Sequence, residues 1–120
     1  MKRNWDLIRK ILLAVEDLPT PQQVVTASDI KGTAPEVVNY HLQLLKEAGL
    51  VKGICSNYLD GSTECHISQL TWNGHEFLDA IRNQTAWHKT LTVLRDKGLD
   101  LSFDTIKAAA AQVAASVIGG

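Results

Sequence analysis

Four side chains between positions 55 and 75 carry the most reactive chemistry: Cys55, Cys65, His66 and His75. A zinc site needs three or four thiolate or imidazole ligands converging on one point. Asp60-Gly61 lies between two strand-like runs, Lys52 to Leu59 and Ser62 to Thr71, and so predicts a hairpin. With Asp60 and Gly61 as the loop, Leu59 faces Ser62, Ile54 pairs with Ile67 with both turned to the core, and Cys55 faces His66. Cys65 then points the other way. Separate thiols and imidazoles are therefore expected, rather than a metal site or a Cys55–Cys65 disulfide. A Cys55–His66 pair has the residue types of a nucleophile and its base, but nothing supplies a third orienting group or an oxyanion site. His75-Glu76 lacks the second histidine of a zincin motif, and the chain has neither a Gly-rich phosphate loop nor a Gly-x-Ser-x-Gly elbow. No catalytic residue, metal or cofactor is expected, and the chain does not read as an enzyme.

A second constellation is polar rather than reactive. From Ala34 to Leu50 the sequence reads as a helix, with Val38, Leu42 and Leu45 at i, i+4 and i+7 on one face. Thr33 is the expected cap, Pro35 suits the first turn, and Gly49 supplies the left-handed residue that ends the helix. Thr33, Asn39, Tyr40, Gln43 and Lys46 are then the candidate DNA contacts. Asn and Gln hydrogen-bond adenine edges, while Thr, Tyr and Lys reach phosphates. The charge argues the other way. Thr33 to Leu45 holds no Lys or Arg, Glu36 repels phosphate, and the hairpin tip adds Asp60 and Glu64. Phosphate neutralisation supplies most nonspecific DNA affinity.

The elements that must position these residues are legible in order. Asn4 or Asp6 caps a first helix to about Asp17, with Trp5, Ile8, Ile11, Leu12, Val15 and Leu18 as its apolar stripe. Pro19 and Pro21 stop it, and Val24-Val25-Thr26 reads as a strand. Only Ala27 to Gly32 remain before the next helix, room for one short helical turn or a continued strand. Thr71 or Asn73 opens a helix through Asn83 with Phe77, Leu78 and Ile81 inward, and Trp72 is expected to pack with Phe77 on the first helix. A helix from Ala86 to Lys97 carries Trp87, Leu91 and Leu94, and Gly98 caps it. Ser102 caps the last helix, whose seam is Phe103, Ile106, Ala110, Val113 and Val117. That 3-4-3-4 spacing is heptad-like, and these residues are the candidate dimer contacts.

The bulk properties fit one small folded domain. Of 120 residues, 45% are hydrophobic and 21% charged, with net charge −1. A dedicated nonspecific nucleic-acid binder would be far more basic. No run approaches the roughly 20 apolar residues of a membrane span. Met1-Lys2-Arg3 is basic like a signal n-region, but Ile11 to Val15 is too short for the apolar region that should follow. Two cysteines suit a reducing compartment, so a cytoplasmic location is expected.

Three segments carry a family resemblance: Met1-Lys2-Arg3-Asn4-Trp5-Asp6-Leu7-Ile8-Arg9-Lys10-Ile11-Leu12, Tyr40-His41-Leu42-Gln43-Leu44-Leu45-Lys46-Glu47-Ala48-Gly49-Leu50, and Leu70-Thr71-Trp72-Asn73-Gly74-His75-Glu76-Phe77-Leu78-Asp79-Ala80-Ile81-Arg82. With them the chain resembles a bacterial and phage family known as a domain of unknown function. The resemblance implies a winged-helix-like fold and a phage or prophage setting, and no catalytic residues. More broadly, Val38 to Val51 is similar to the recognition-helix segment of bacterial winged-helix regulators.

The expectation is an α+β, winged helix-turn-helix-like domain with a degenerate second helix, a two-stranded wing and extra C-terminal helices. Residues 1–84 would form the winged-helix core and 85–120 the C-terminal helices, pairing two copies as a homodimer. The expected function is a DNA-binding, phage-related transcriptional regulator. The alternative is a protein-interaction module that keeps the fold without binding DNA and acts on a host or phage regulator.

Overall fold

The first helix, α1 (Trp5–Glu16), starts at Asn4, whose Oδ1 accepts the Leu7 N–H at 3.1 Å. This is the side-chain cap that Asn supplies to an otherwise unpaired N–H. The computed structural model describes residues 1–96 and 102–119, with side chains for all of these except 111 and 113–119. The chain is α+β and divides into two compact units, Met1–His75 and Glu76–Gly120.

In the first unit α1 buries Trp5, Leu7, Ile8, Ile11, Leu12 and Val15. After the two prolines the chain makes a single bridge, Val25 to Ile67, then one 3-10 turn, Ala27–Asp29. The expected strand at 24–26 is thus one residue pair long, and the short gap does hold one helical turn. Asp29 Oδ2 accepts the Thr26 N–H at 2.8 Å and locks that turn.

Helix α2 (Pro35–Glu47) buries Val38, His41, Leu42 and Leu45. Its cap is not Thr33. Pro35 takes the first helical position and holds Ala34 in extended geometry, so the Ala34 carbonyl accepts the Val37 and Val38 N–H groups. At the other end Gly49 has φ +75°, the Leu50 N–H reaches the Leu45 carbonyl, and the Gly49 N–H reaches the Lys46 carbonyl. That pair of bonds is a Schellman stop, with Leu50 folded into the core.

Strands β1 (Val51–Asn57) and β2 (Thr63–Leu70) form an antiparallel hairpin. The register differs by one residue from the sequence expectation. Cys55 pairs with Cys65, Ile54 with His66, and Gly53 with Ile67. The cause is the turn. A two-residue type I′ loop needs positive φ at both Asp60 and Gly61, and only Gly61 has it, at 87°. The chain instead forms a three-residue loop closed by Gly61 N–H to Tyr58 carbonyl and Tyr58 N–H to Ser62 carbonyl bonds. The one-residue slip turns the faces of β1 over relative to β2, whose Ile67 keeps the core side. Ile54 is therefore 69% exposed, whereas Cys65 and Ile67 are fully buried. A bulge beside Lys52 and Gly53 then absorbs Ser68, so that Val51 and Leu70 both return to the core side.

Helix α3 (Trp72–Ile81) begins on Thr71, whose Oγ1 donates to the Gly49 carbonyl at 2.5 Å and accepts the Gly74 N–H at 3.0 Å. Trp72 is 77% exposed and does not pack as expected, because it sits on the solvent side of that first turn. In the second unit, Phe77 is buried and stacks on Phe103 with ring centroids 4.6 Å apart. Asn83 caps α4 (Gln84–Asp96), its Oδ1 accepting the Ala86 N–H, and Ser102 caps α5 (Phe103–Gly119) through the Thr105 N–H. The two helices pack on each other. The expected Gly98 stop lies outside the described residues. Among the described residues no helix is long and apolar enough to cross a membrane.

Candidate binding groove

The polar residues of α2 open onto a groove of about 560 Å³. It is lined by α2, through Glu36, Asn39, Tyr40 and Gln43, by Tyr58 and Gly61 to Glu64 of the hairpin, and by the 3-10 turn. Core packing sets this arrangement. Val38, His41, Leu42 and Leu45 hold one side of α2 inward, which leaves positions 36, 39, 40 and 43 on the opposite side.

Of the five expected DNA contacts, the structure brings Asn39, Tyr40 and Gln43 together in the groove. Thr33 and Lys46 do not line it. Thr33 precedes the helix, and Lys46 is exposed in its last turn. Asn39 is already engaged. Its Oδ1 accepts the Cys65 N–H at 3.1 Å, tying α2 to the outer edge of β2. Bidentate reading of adenine uses both the oxygen and the nitrogen of an Asn amide, so that contact would require this bond to open. Tyr40 is half-buried, with its ring edge-on to His41 at 5.7 Å.

The charged side chains that line the groove are all acidic. The lining includes Glu36 and Glu64 and no Lys or Arg. Asp60 adds a carboxylate at the tip, held below its ordinary value of 3.8 by hydrogen bonds from the Ser62 hydroxyl and then the Ser62 amide. Lys31 donates from Nζ to the carbonyl of Ser28, which lines the groove, but does not line it itself.

The reactive residues are placed differently from expectation. Cys55 and Cys65 are joined as a disulfide, with Cα atoms 4.0 Å apart. The physical reason is again the register. On β2 the Ile67 N–H and C=O both bond Val25, and the Cys65 N–H bonds Asn39, so these residues turn their backbone bonds away from β1. Cys55 and Cys65 are thus a non-hydrogen-bonded cross-strand pair, where side chains come closest. His66 Nε2 lies 3.9 Å from Glu64, and His75 is exposed on α3. Among the described residues no three His, Cys, Asp or Glu side chains converge.

Of the candidate dimer contacts, Ile106 and Ala110 are buried within the single chain and Phe103 is stacked on Phe77. The side chains of Val113 and Val117 lie outside the described residues.

One buried polar residue was not singled out from the sequence. His41 is fully buried, with Nε2 accepting the Asn4 N–H and Nδ1 donating to the Val37 carbonyl, both at 2.8 Å. Its signal was positional, since 38, 41, 42 and 45 make a complete i, i+3, i+4, i+7 stripe.

A family described as a hypothetical protein family, DUF2513, matches residues 2–100. The chain belongs to the DUF2513 family. It is similar to an uncharacterised protein of Haemophilus influenzae, 43% identical over 118 residues that cover 98% of this chain and 96% of that protein. No solved structure matches the chain. The Leu-Thr-x-x-Gly segment from Leu70 to Gly74 has a structural role. Leu70 is buried, Thr71 clasps the Gly49 carbonyl, and Gly74 lies so close to the Leu50 carbonyl that a side chain there would overlap it.

Proposed function

We propose that this DUF2513 chain is a protein-interaction module on a winged-helix-like frame, with the groove between α2 and the hairpin as its binding face. The order helix, 3-10 turn, helix, hairpin supports the frame, with the 3-10 turn standing where a second helix would be. The observation that carries the reading is the groove's charge: glutamates at 36 and 64, with no Lys or Arg in the lining. A surface of that sign repels phosphate. A small module acting on a host or phage regulator also fits the phage setting that the resemblance implies.

Two measurements test it. A pool of genome fragments should show no salt-sensitive binding at low ionic strength. A photo-crosslinking residue at Gln43 should give a discrete polypeptide adduct in the native host, and the same residue at Lys89 should not. Salt-sensitive retention of duplex DNA, lost when Tyr40 and Gln43 are replaced, would overturn the reading.

The second reading is a DNA-binding regulator. It is favoured by α2 standing at the recognition-helix position and by Met1 lining the groove, which puts the exposed, basic Lys2 and Arg3 next in the chain. The same salt titration decides between the two.

A further inference from the structure

We infer that the groove takes an extended, cationic peptide segment of a partner protein, with Arg or Lys side chains set against Glu36 and Glu64. This rests on the reading of the groove as a protein-binding face and adds the chemistry of what fills it.

Three observations carry it. The first is charge complementarity. Glu36 and Glu64 line the groove, no Lys or Arg does, and the Asp60 carboxylate stands at the hairpin tip beside Gly61 and Ser62. The second is the aromatic lining. Tyr40 of α2 and Tyr58 of the hairpin both line the groove, and a phenol ring attracts a guanidinium over its face. The third is a strand edge. The Ile67 backbone bonds outward to Val25 and the Cys65 N–H bonds outward to Asn39. Alternation therefore turns the Thr63 N–H and C=O outward as well, and Thr63 lines the groove. A peptide laid against Thr63 gains main-chain hydrogen bonds there, the Ile67 groups and the Cys65 N–H being already engaged, while the flanking side chains select its own. The volume of about 560 Å³ falls within the roughly 300–1,000 Å³ of ligand pockets.

The test is fluorescence anisotropy on the full chain with a labelled short peptide alternating Arg and Val. Counterparts carrying Glu or Ser in place of Arg, and a random-sequence DNA duplex, complete the set of probes. The Arg peptide should bind at low ionic strength and the Glu peptide should not. Glu36→Lys with Glu64→Lys should weaken binding by about tenfold or more, because it reverses charge at the contact. Asp17→Lys with Glu47→Lys makes the same change in net charge at exposed sites outside the groove lining and should alter binding by less than about twofold. Tyr58→Ala, at an exposed loop residue, should weaken binding without altering the fold seen by circular dichroism. If both charge-reversal pairs weaken binding alike, attraction is nonspecific and the inference is overturned. If the Ser or Glu peptide binds better than the Arg peptide, the cationic preference falls while the protein-binding reading stands. If no peptide binds, the inference falls, and if the duplex alone binds, both readings fall.

Discussion

The backbone N–H of Asn4 donates to Nε2 of His41 at 2.8 Å, so the start of α1 is bonded to the middle of α2 across 37 residues of chain. Both partners fix the state of the ring. The Val37 carbonyl can only accept, so Nδ1 must carry the proton, and the Asn4 N–H can only donate, so Nε2 must be bare. His41 therefore completes the cap of one helix from the buried face of another, directly behind Tyr40 and the groove.

His41→Leu fills a similar space but leaves the Asn4 N–H without its acceptor. Losing this part-buried hydrogen bond costs about 0.5–1.5 kcal/mol, which should appear as a lower urea midpoint with an unchanged slope. Nitrogen NMR of the imidazole should show the proton on Nδ1. A ring protonated on Nε2 alone would contradict this account of the link.

Gly74→Ala sets two effects against each other. Alanine in a helix interior is favoured over glycine by roughly 0.5–1 kcal/mol. Here the added methyl would overlap the Leu50 carbonyl oxygen and crowd Leu70. Overpacking against fixed backbone costs about 1–3 kcal/mol, so the variant should be destabilised on balance. Thr71→Ala should cost about 1 kcal/mol through the lost cap. A thermal melt in which Gly74→Ala is more stable than the parent would refute the close approach.

The α2 stripe, its Gly49 stop and the Ser102 cap were legible in the sequence, and the Asn4 cap and the single turn before α2 each as one of two alternatives, because each depends on residues within one or two turns of each other. The hairpin register was not. Asp-Gly permits two loop lengths, and the choice between them is a backbone angle at Asp60 that composition does not encode. That one ambiguity moved Ile54 out while Ile67 stayed in the core as expected, and it turned two thiols expected on opposite faces into a bonded pair. Asn39 was legible as a polar residue facing away from the core, but its bond to the Cys65 N–H depends on the same register. The acidity of Glu36 and Glu64 could be read directly. That they share one groove with Tyr40 could not, because 28 positions separate Glu36 from Glu64 in sequence.

Asp60 offers a local test of the loop. Its carboxylate accepts the Ser62 hydroxyl at 2.6 Å and the Ser62 N–H at 2.9 Å, and these bonds hold it below its ordinary 3.8. A carboxyl depressed in the folded state contributes order that is complete above its unfolded value and lost as pH falls through the folded one. Ser62→Ala should therefore raise the Asp60 midpoint toward the ordinary value in a carboxyl-carbon NMR titration. The Ser62 amide shift should follow the same midpoint in the parent. No movement on substitution would mean that the hydroxyl bond does not form in solution.

The Cys55–Cys65 bond gives the strongest prediction because the sequence argued against it. Closing a loop across 10 residues of separation removes chain entropy from the unfolded state worth about 2–3 kcal/mol. Air-oxidised protein should therefore show no titratable thiol in denaturant before reduction and two after it. Reduction should lower the unfolding midpoint by an amount matching that energy. The Cys55→Ala, Cys65→Ala double variant should melt near the reduced parent and be indifferent to reductant. Because Cys65 N–H also holds Asn39, reduction should loosen the groove wall, which would appear as faster amide exchange at Cys65 and weaker binding by any groove ligand. Two free thiols in protein purified without reductant, together with an unchanged melt on adding it, would mean that the hairpin keeps its register by strand pairing alone. In a compartment that holds thiols reduced, that is the state in which the groove would have to work.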